Sequence, residues 1–268
     1  TAGGWRFEAA GDSSYGDISA KGVIRSDLDP LAIDLAEAHI AGLTGHGGIV
    51  QTAAGPFAGR SDVAGKGLTG TATLAAAGAV QRADIVADAK QAELALATPV
   101  TIETGALRLV LLIPDSGATA TGSFNLAGVE RDGLRIDKSA GSIAFANGRG
   151  TAKASASGSS DIPFNLNVDA TLVRDRLAVS ISGTVDRRAI RLSGPAVFSR
   201  TPAGWQLAPF SLVTPDGSAE FSGLFGENRV VKARFDKVSL GLLTIAYPSL
   251  DFSGLISGTV DLALAPGD

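Results

Sequence analysis

The chain has 268 residues, a formal net charge of −4, 45% hydrophobic residues with only 6% aromatics, and 34 glycines. An acidic balance without clustered lysine and arginine argues against neutralising the phosphates of a nucleic acid, and Arg187, Arg188 and Arg191 beside Asp186 suit a solvated strand edge or turn. The absence of cysteine removes disulfides, thiolate metal sites and cysteine nucleophiles. With no methionine and Thr1 in first place, the sequence reads as a processed or internal piece of a longer protein. Its strongest apolar run, Leu107 to Ile113, is interrupted by Arg108 and falls far short of the ~20 residues of a membrane span, so any anchor is expected outside it. Many small side chains suit a thin, bent, repetitive sheet better than a thick core filled to close-packed density.

In chain order, Gly4 to Phe7 and Tyr15 to Ile24 predict two strands around a polar turn. Leu31, Ile33 and Leu35 follow at period 2, with helix an alternative over Ala36 to Ala38, and Gly42 to Gly48 reads as a glycine-rich turn. Leu68, Gly70, Ala72 and Leu74 alternate with threonines and predict a strand. Ala83 to Ala97 has helical propensity, yet Ala92, Leu94 and Leu96 alternate before Pro99, and strand is preferred. Val100 and Ile102, then Leu107, Leu109, Leu111 and Ile113, continue the pattern to Pro114. Further strands are expected over Ala118 to Leu126, Leu134 to Ile136, Ile143 to Phe145, Phe164 to Leu172, Leu177 to Val185 and Ile190 to Phe198. Ala152 to Ser160 is an edge strand or a surface loop. Gly204-Trp205 repeats the texture of Gly4-Trp5: an Asp/Gly turn follows each, then alternation, then a late glycine at Gly223 and Gly22. Ser239 to Ala246 predicts a helical turn capped by Ser239. Leu250 to Leu264 alternates throughout and reads as one long strand bent at Gly254 and Gly258. Strands every 8–12 residues with little helix mean an all-β fold.

No constellation is built to break bonds, and no cofactor is expected. Gly65-Lys-Gly-Leu-Thr-Gly70 matches a dinucleotide-binding pattern formally, but that pattern needs a buried strand before it and a helix after it. His39 and His46, with Glu37 nearby, lack a third ligand at zinc spacing and read as surface residues. No Gly-x-Ser-x-Gly elbow occurs. The extended feature is an apolar face: Leu177, Val179 and Ile181; Ile190, Leu192 and Phe198; Phe221 and Phe225; then Leu250, Phe252, Ile256, Val260, Leu262 and Leu264. Such a face is either half of a sandwich core or an open apolar groove.

One ordered series favours the groove. Leu192-Ser-Gly-Pro195, Gly204-Trp205, Pro209 to Gly217, Phe221-Ser-Gly223, Val238 to Leu243 and Leu250 to Leu262 together resemble the TamB family of Gram-negative translocation and assembly subunits, related to the AsmA-like proteins. The likeness is clearest over 190–264 and looser before it; the inner-membrane anchor and C-terminal tail of that family have no counterpart here. The resemblance implies an elongated, curled, taco-like β-sheet with a hydrophobic trough, continuous over 1–268 and divisible into sub-blocks 1–114 and 115–268. At ~12 residues per strand and turn it would hold roughly twenty strands. It also implies a periplasmic, non-catalytic segment of an inner-membrane-anchored bridge. The fourteen residues named above would face phospholipid acyl chains moving between the two membranes. Alternatives are a scaffold for outer-membrane protein assembly with a barrel partner of the TamA type, and a secreted β-solenoid adhesin.

Overall fold

The computed structural model describes residues 4–13, 16–25, 30–96, 98–114, 117–227, 229–245 and 253–264. Polar–apolar alternation runs through nearly all of these segments, and it produces nineteen strands and one six-residue 3-10 helix among the described residues. The all-β architecture with little helix that the sequence predicts is the one observed. Contacts group the chain into two units, residues 1–132 with 144–147 and residues 133–143 with 148–268.

Unit 1 is an antiparallel meander of β1 (Trp5–Ser13), β2 (Gly16–Arg25), β3 (Ala32–Ile40), β4 (Leu43–Gln51), β5 (Phe57–Gly65), β6 (Leu68–Ala77), β7 (Val80–Leu94), β8 (Val100–Ile113) and β9 (Thr119–Arg131). Its tight hairpins use two left-handed residues, as the right-handed twist of the flanking strands requires. Ala41-Gly42 and Lys66-Gly67 are two such turns. The second moves the start of the strand expected from Gly65 to Leu68. Gly65 to Gly70 is a hairpin with Gly65 opposite Leu68, and a strand rather than a helix follows it.

The predicted turn over Gly42 to Gly48 is instead mostly strand β4. Glycine is needed there because the strands approach closely. A Cβ on Gly47 would lie 2.4 Å from the Arg60 carbonyl oxygen and 2.5 Å from the Ser61 Cα.

Unit 2 holds most of β10 (Leu134–Ala146), β11 (Arg149–Ser160), β12 (Ile162–Val173), β13 (Arg176–Val185), β14 (Arg188–Leu192), β15 (Ala196–Thr201), β16 (Gly204–Val213), β17 (Ser218–Phe225), β18 (Arg229–Ser239), the 3-10 helix Leu240–Ile245 and β19 (Leu255–Leu264). The two short runs expected at 134–136 and 143–145 are one strand. The single run expected over 190–198 is two, broken at Ser193-Gly194-Pro195 because proline supplies no ladder donor. These halves lie in line: β13 pairs with both β14 and β15, and so does β16. Ala152 to Ser160 belongs to β11, which pairs along its whole length with β12.

The repeated Gly-Trp module is real in register. Trp5 faces Ile24 and Phe7 faces Gly22 in β1–β2; Trp205 faces Phe225 and Leu207 faces Gly223 in β16–β17. In the first copy the Phe7 ring covers Gly22 so closely that a Cβ there would sit 2.8 Å from it, which is how an aromatic shields a glycine in a sheet.

Unit 2 curls at one strand end. Leu242 lies three residues beyond the end of β18, a reach of about 10 Å, yet its helix packs against β11 and β12. Five rungs at ~4.8 Å would separate β12 from β18 by about 24 Å in a flat sheet. The strands must therefore bend round, with Leu242 on the inside of the bend. The expected helical turn after Ser239 is thus present, and it has a structural task.

Gly47→Ala should cost about 1–3 kcal/mol, because the obstructing atoms are backbone. Gly11→Ala, which meets nothing within 4 Å, should change stability by less than about 0.5 kcal/mol. Urea denaturation of the two variants checks the contrast.

Candidate functional site: the apolar face of unit 2

In an antiparallel ladder, directly opposed residues share a face, so the registers assign every side chain to one side. Leu177 is opposite Leu172 and Phe198, Val179 opposite Ala170 and Ala196, and Ile181 opposite Val168. Ile190 lies across from Gly183, and Leu192 across from Leu212. Phe198 faces Leu207, Leu207 faces Gly223, and Phe221 stands between Phe210 and Ala233. On β19, Ile256 faces Val238, Val260 faces Ala233 and Leu262 faces Val231.

The bulges at Leu207/Phe210 and Phe235/Val238 each shift the parity of one strand. They keep the apolar set on the same side.

Of the expected groove residues, the register thus gathers Leu177, Val179, Ile181, Ile190, Leu192, Phe198, Phe221, Phe225, Ile256, Val260 and Leu262 on one face. Leu264 pairs with Arg229 at the end of β19. Leu250 and Phe252 lie outside the described residues. The bent strand expected over 250–264 begins at Leu255. Gly254 adopts φ +99° and its carbonyl accepts the Leu240 N–H at 3.0 Å, so it is the corner that enters the strand. Gly258, at φ +155°, sits opposite Phe235 beside the bulge.

Sequence reading missed the continuation of this face onto β12, through Phe164, Leu166, Val168, Ala170 and Leu172. It also missed Leu207, Phe210 and Leu212 on β16, and Val231, Ala233 and Phe235 on β18. The signal was there: each set recurs every second residue within its strand, apart from the bulges.

Burial along the face is graded. At the bent end, Phe164, Val185 and Ile190 form a buried cluster against which Leu134, Ile136, Ile162, Leu212 and Leu242 pack. A cleft of about 120 Å³ lies beside it, walled by Ile162, Val185, Ile190 and Leu242 and edged by the Arg188–Asp216 ion pair. Ala219, Ala233 and Val238 are also buried. Towards the other strand end the face opens: Phe225 is 39% exposed, Val260 48% and Leu262 46%. Between the two, Phe198 and Phe225 meet at 6.2 Å between ring centroids, Phe210 and Phe221 stack at 5.5 Å, and Phe235 meets Phe221 edge-on at 5.8 Å.

Unit 1 carries a comparable face of its own. Ile18, Ile24, Ile33, Leu35, Ile49, Val63, Leu74, Ile85, Leu107, Leu109, Leu111 and Phe124 fall on one side by register. The opposite side holds cross-strand and same-strand ion pairs: Lys21–Glu37, Arg25–Asp34, Arg60–Asp62, Arg82–Asp84 and Arg108–Asp88. His39 belongs to this polar side, 3.1 Å from Glu37 and 3.3 Å from the Thr44 hydroxyl. His46 sits opposite Asp62.

The best-defined polar group is Asp62. Arg60 donates from Nε at 2.9 Å and from Nη2 at 2.7 Å, and the Thr71 hydroxyl donates at 2.7 Å. Those bonds, Arg60 first, hold the Asp62 carboxyl down to about 2. Glu37 is likewise held below the usual carboxylate range by Lys21.

Phe164→Ala should cost about 3 kcal/mol, and Val260→Ala on the open part under about 1 kcal/mol, as read by urea denaturation. Because the folded value of Asp62 lies below its unfolded value, its contribution to stability is full above pH ~4 and disappears as pH falls towards 2. A carboxyl-carbon NMR titration should place the Asp62 midpoint near 2, and Arg60→Gln should move it up.

The chain matches no protein-family model, no curated protein and no solved structure.

Proposed function

We propose that this chain is a periplasmic wall of a lipid-conducting bridge. Its apolar faces would hold phospholipid acyl chains while its polar faces meet water, and no catalytic step is involved. The observation that carries the reading is the concentration of large apolar side chains on one face of unit 2. From β11 to β19, most of the aliphatic and aromatic residues share a face by register, with Val197, Leu224 and Val230 among the exceptions on the other, and part of the apolar face stays open at Phe225, Val260 and Leu262. The resemblance of 190–264 to the TamB family points the same way, including the expected location of the parent protein between the membranes. An exposed apolar face is unusual for a self-contained core and is the kind of surface that takes an apolar ligand. That exposure also weighs against the dry, filled interior of a solenoid adhesin.

The energetics suit conduction. Burying a methylene is worth about 0.8 kcal/mol, so a dozen give roughly 10 kcal/mol. The attraction has no preferred direction. A chain lying across successive strands meets similar Leu, Val, Ile and Phe side chains at each rung, so it can advance without losing contact at any step.

Photo-crosslinkers at Phe221 or Ile256 should capture phospholipid in cells, whereas one at Ser257 on the opposite face should not. Capture confined to Ser257 would refute the reading. Capture of outer-membrane barrel proteins instead would favour an assembly scaffold.

A further inference from the structure

Charge is distributed unevenly between the two strand ends of unit 2. At the bent end the cations Arg187, Arg188, Arg191 and Lys237 are balanced by carboxylates at 161, 186, 216 and 236, and Arg188 is ion-paired with Asp216. At the open end, among the described residues, Arg149, Arg174, Arg176, Arg200 and Arg229 are accompanied by the carboxylates Asp175 and Glu227 alone. None of these five arginines is in an ion pair among the described residues.

Two of the five lie on the apolar face itself. The registers run Arg200 opposite Trp205, Trp205 opposite Phe225, and Phe225 opposite Arg229. One cross-strand row therefore reads guanidinium, indole, phenyl, guanidinium, and directly inward from it lie Phe198 and Leu207. Both arginines are exposed. A flat sheet would put their Cα atoms about 14 Å apart, three rungs of ~4.8 Å, a gap that two long side chains can close around one small anion.

An unpaired cation on a greasy face has an obvious complement: an amphiphile with an anionic end and an apolar tail. Guanidinium groups bind phosphate and carboxylate in a bidentate fork. Tryptophan sits well where apolar and wet surroundings meet. We propose that the Arg200–Trp205–Phe225–Arg229 row takes the anionic head group, phosphate or carboxylate, of a lipid whose acyl chain lies along the face towards Phe221. This deepens the lipid-conducting reading and rests on it: it gives the open end of unit 2 a preference for anionic lipids, while the apolar face behind it stays indifferent to the head group.

The test uses the whole chain carrying Trp5→Phe, so that Trp205 is the single indole, and measures quenching by acyl-brominated lipids in detergent. Brominated phosphatidylglycerol should quench Trp205 at about tenfold lower concentration than brominated phosphatidylcholine, with the gap shrinking as salt screens it. Brominated stearic acid distinguishes a carboxylate from a phosphate source. Arg200→Gln with Arg229→Gln should erase the preference yet leave phosphatidylcholine quenching intact, and the paired Lys variants should keep part of it. Equal quenching by both phospholipids, or a preference that survives the double Gln variant, overturns the head-group site and leaves the trough reading standing. No quenching by any brominated lipid overturns both. Stronger co-sedimentation with phosphatidylglycerol-containing vesicles, with Trp205 unquenched, would assign the arginines to a membrane surface and overturn the site.

Discussion

The structure depends on one constraint, the period-two geometry of a hydrogen-bonded strand. Each backbone N–H and C=O within the ladder is committed to a neighbouring strand, so side chains have only two directions to take. In this chain one direction is given mainly to Leu, Ile, Val, Phe and Ala, and the other mainly to Ser, Thr, Asp, Lys and Arg. Strand after strand keeps the same assignment because opposed residues share a face. Where a strand must bend, as at Leu207/Phe210 and Phe235/Val238, a bulge absorbs the extra residue and the faces survive.

Small residues make that sheet possible in a second way. Gly47, Gly158 and Gly183 each meet the backbone of a neighbouring strand at distances no Cβ could tolerate. They let the ladder tighten and bend where a larger side chain would hold the strands apart. The result is an apolar face curved enough at one end for Leu242 to close over Phe164, Val185 and Ile190, and open at the other. A sheet built this way does not fill its own concavity, and that unfilled apolar surface is the basis of the proposed acyl-chain binding. The polar side works independently. Its ion pairs are exposed and individually weak, but they keep much of that side wetted; in unit 2 it also has a concavity of its own, lined by Gln206, Ser222, Leu224, Val230 and Lys232.

How legible this was differed from segment to segment. β12, β13 and β17 could be read almost directly, because their apolar residues recur at every second position without interruption. β4 could not: in Leu43 to Gln51 glycines take the places where apolar residues would have marked the alternation, and glycine in a sequence speaks for a turn as strongly as for close strand contact. β10 looked like two fragments because Lys138 to Gly141 carries little apolar signal, yet the strand runs unbroken from Leu134 to Ala146. The opposite error fell at 190–198, where alternation continued across Pro195 but the ladder did not. Of the run expected over Leu250 to Leu264, the strand is present from Leu255 and the bend expected at Gly254 is where the chain enters it; residues 250–252 lie outside the described residues.

The amino-acid sequence by itself determined the fold class, the presence of one apolar set per strand, and the apolar identity of Phe198, Phe221 and Ile256, because period-two patterning is a local property. Only the tertiary structure decided that these sets align across strands, that the bent end is capped, and that Arg200 and Arg229 stand on the greasy face beside Trp205. Those are matters of register and curvature. Register is fixed by turns and bulges many residues away, and curvature by how closely each backbone can approach the next, so neither is written in any single stretch of the chain.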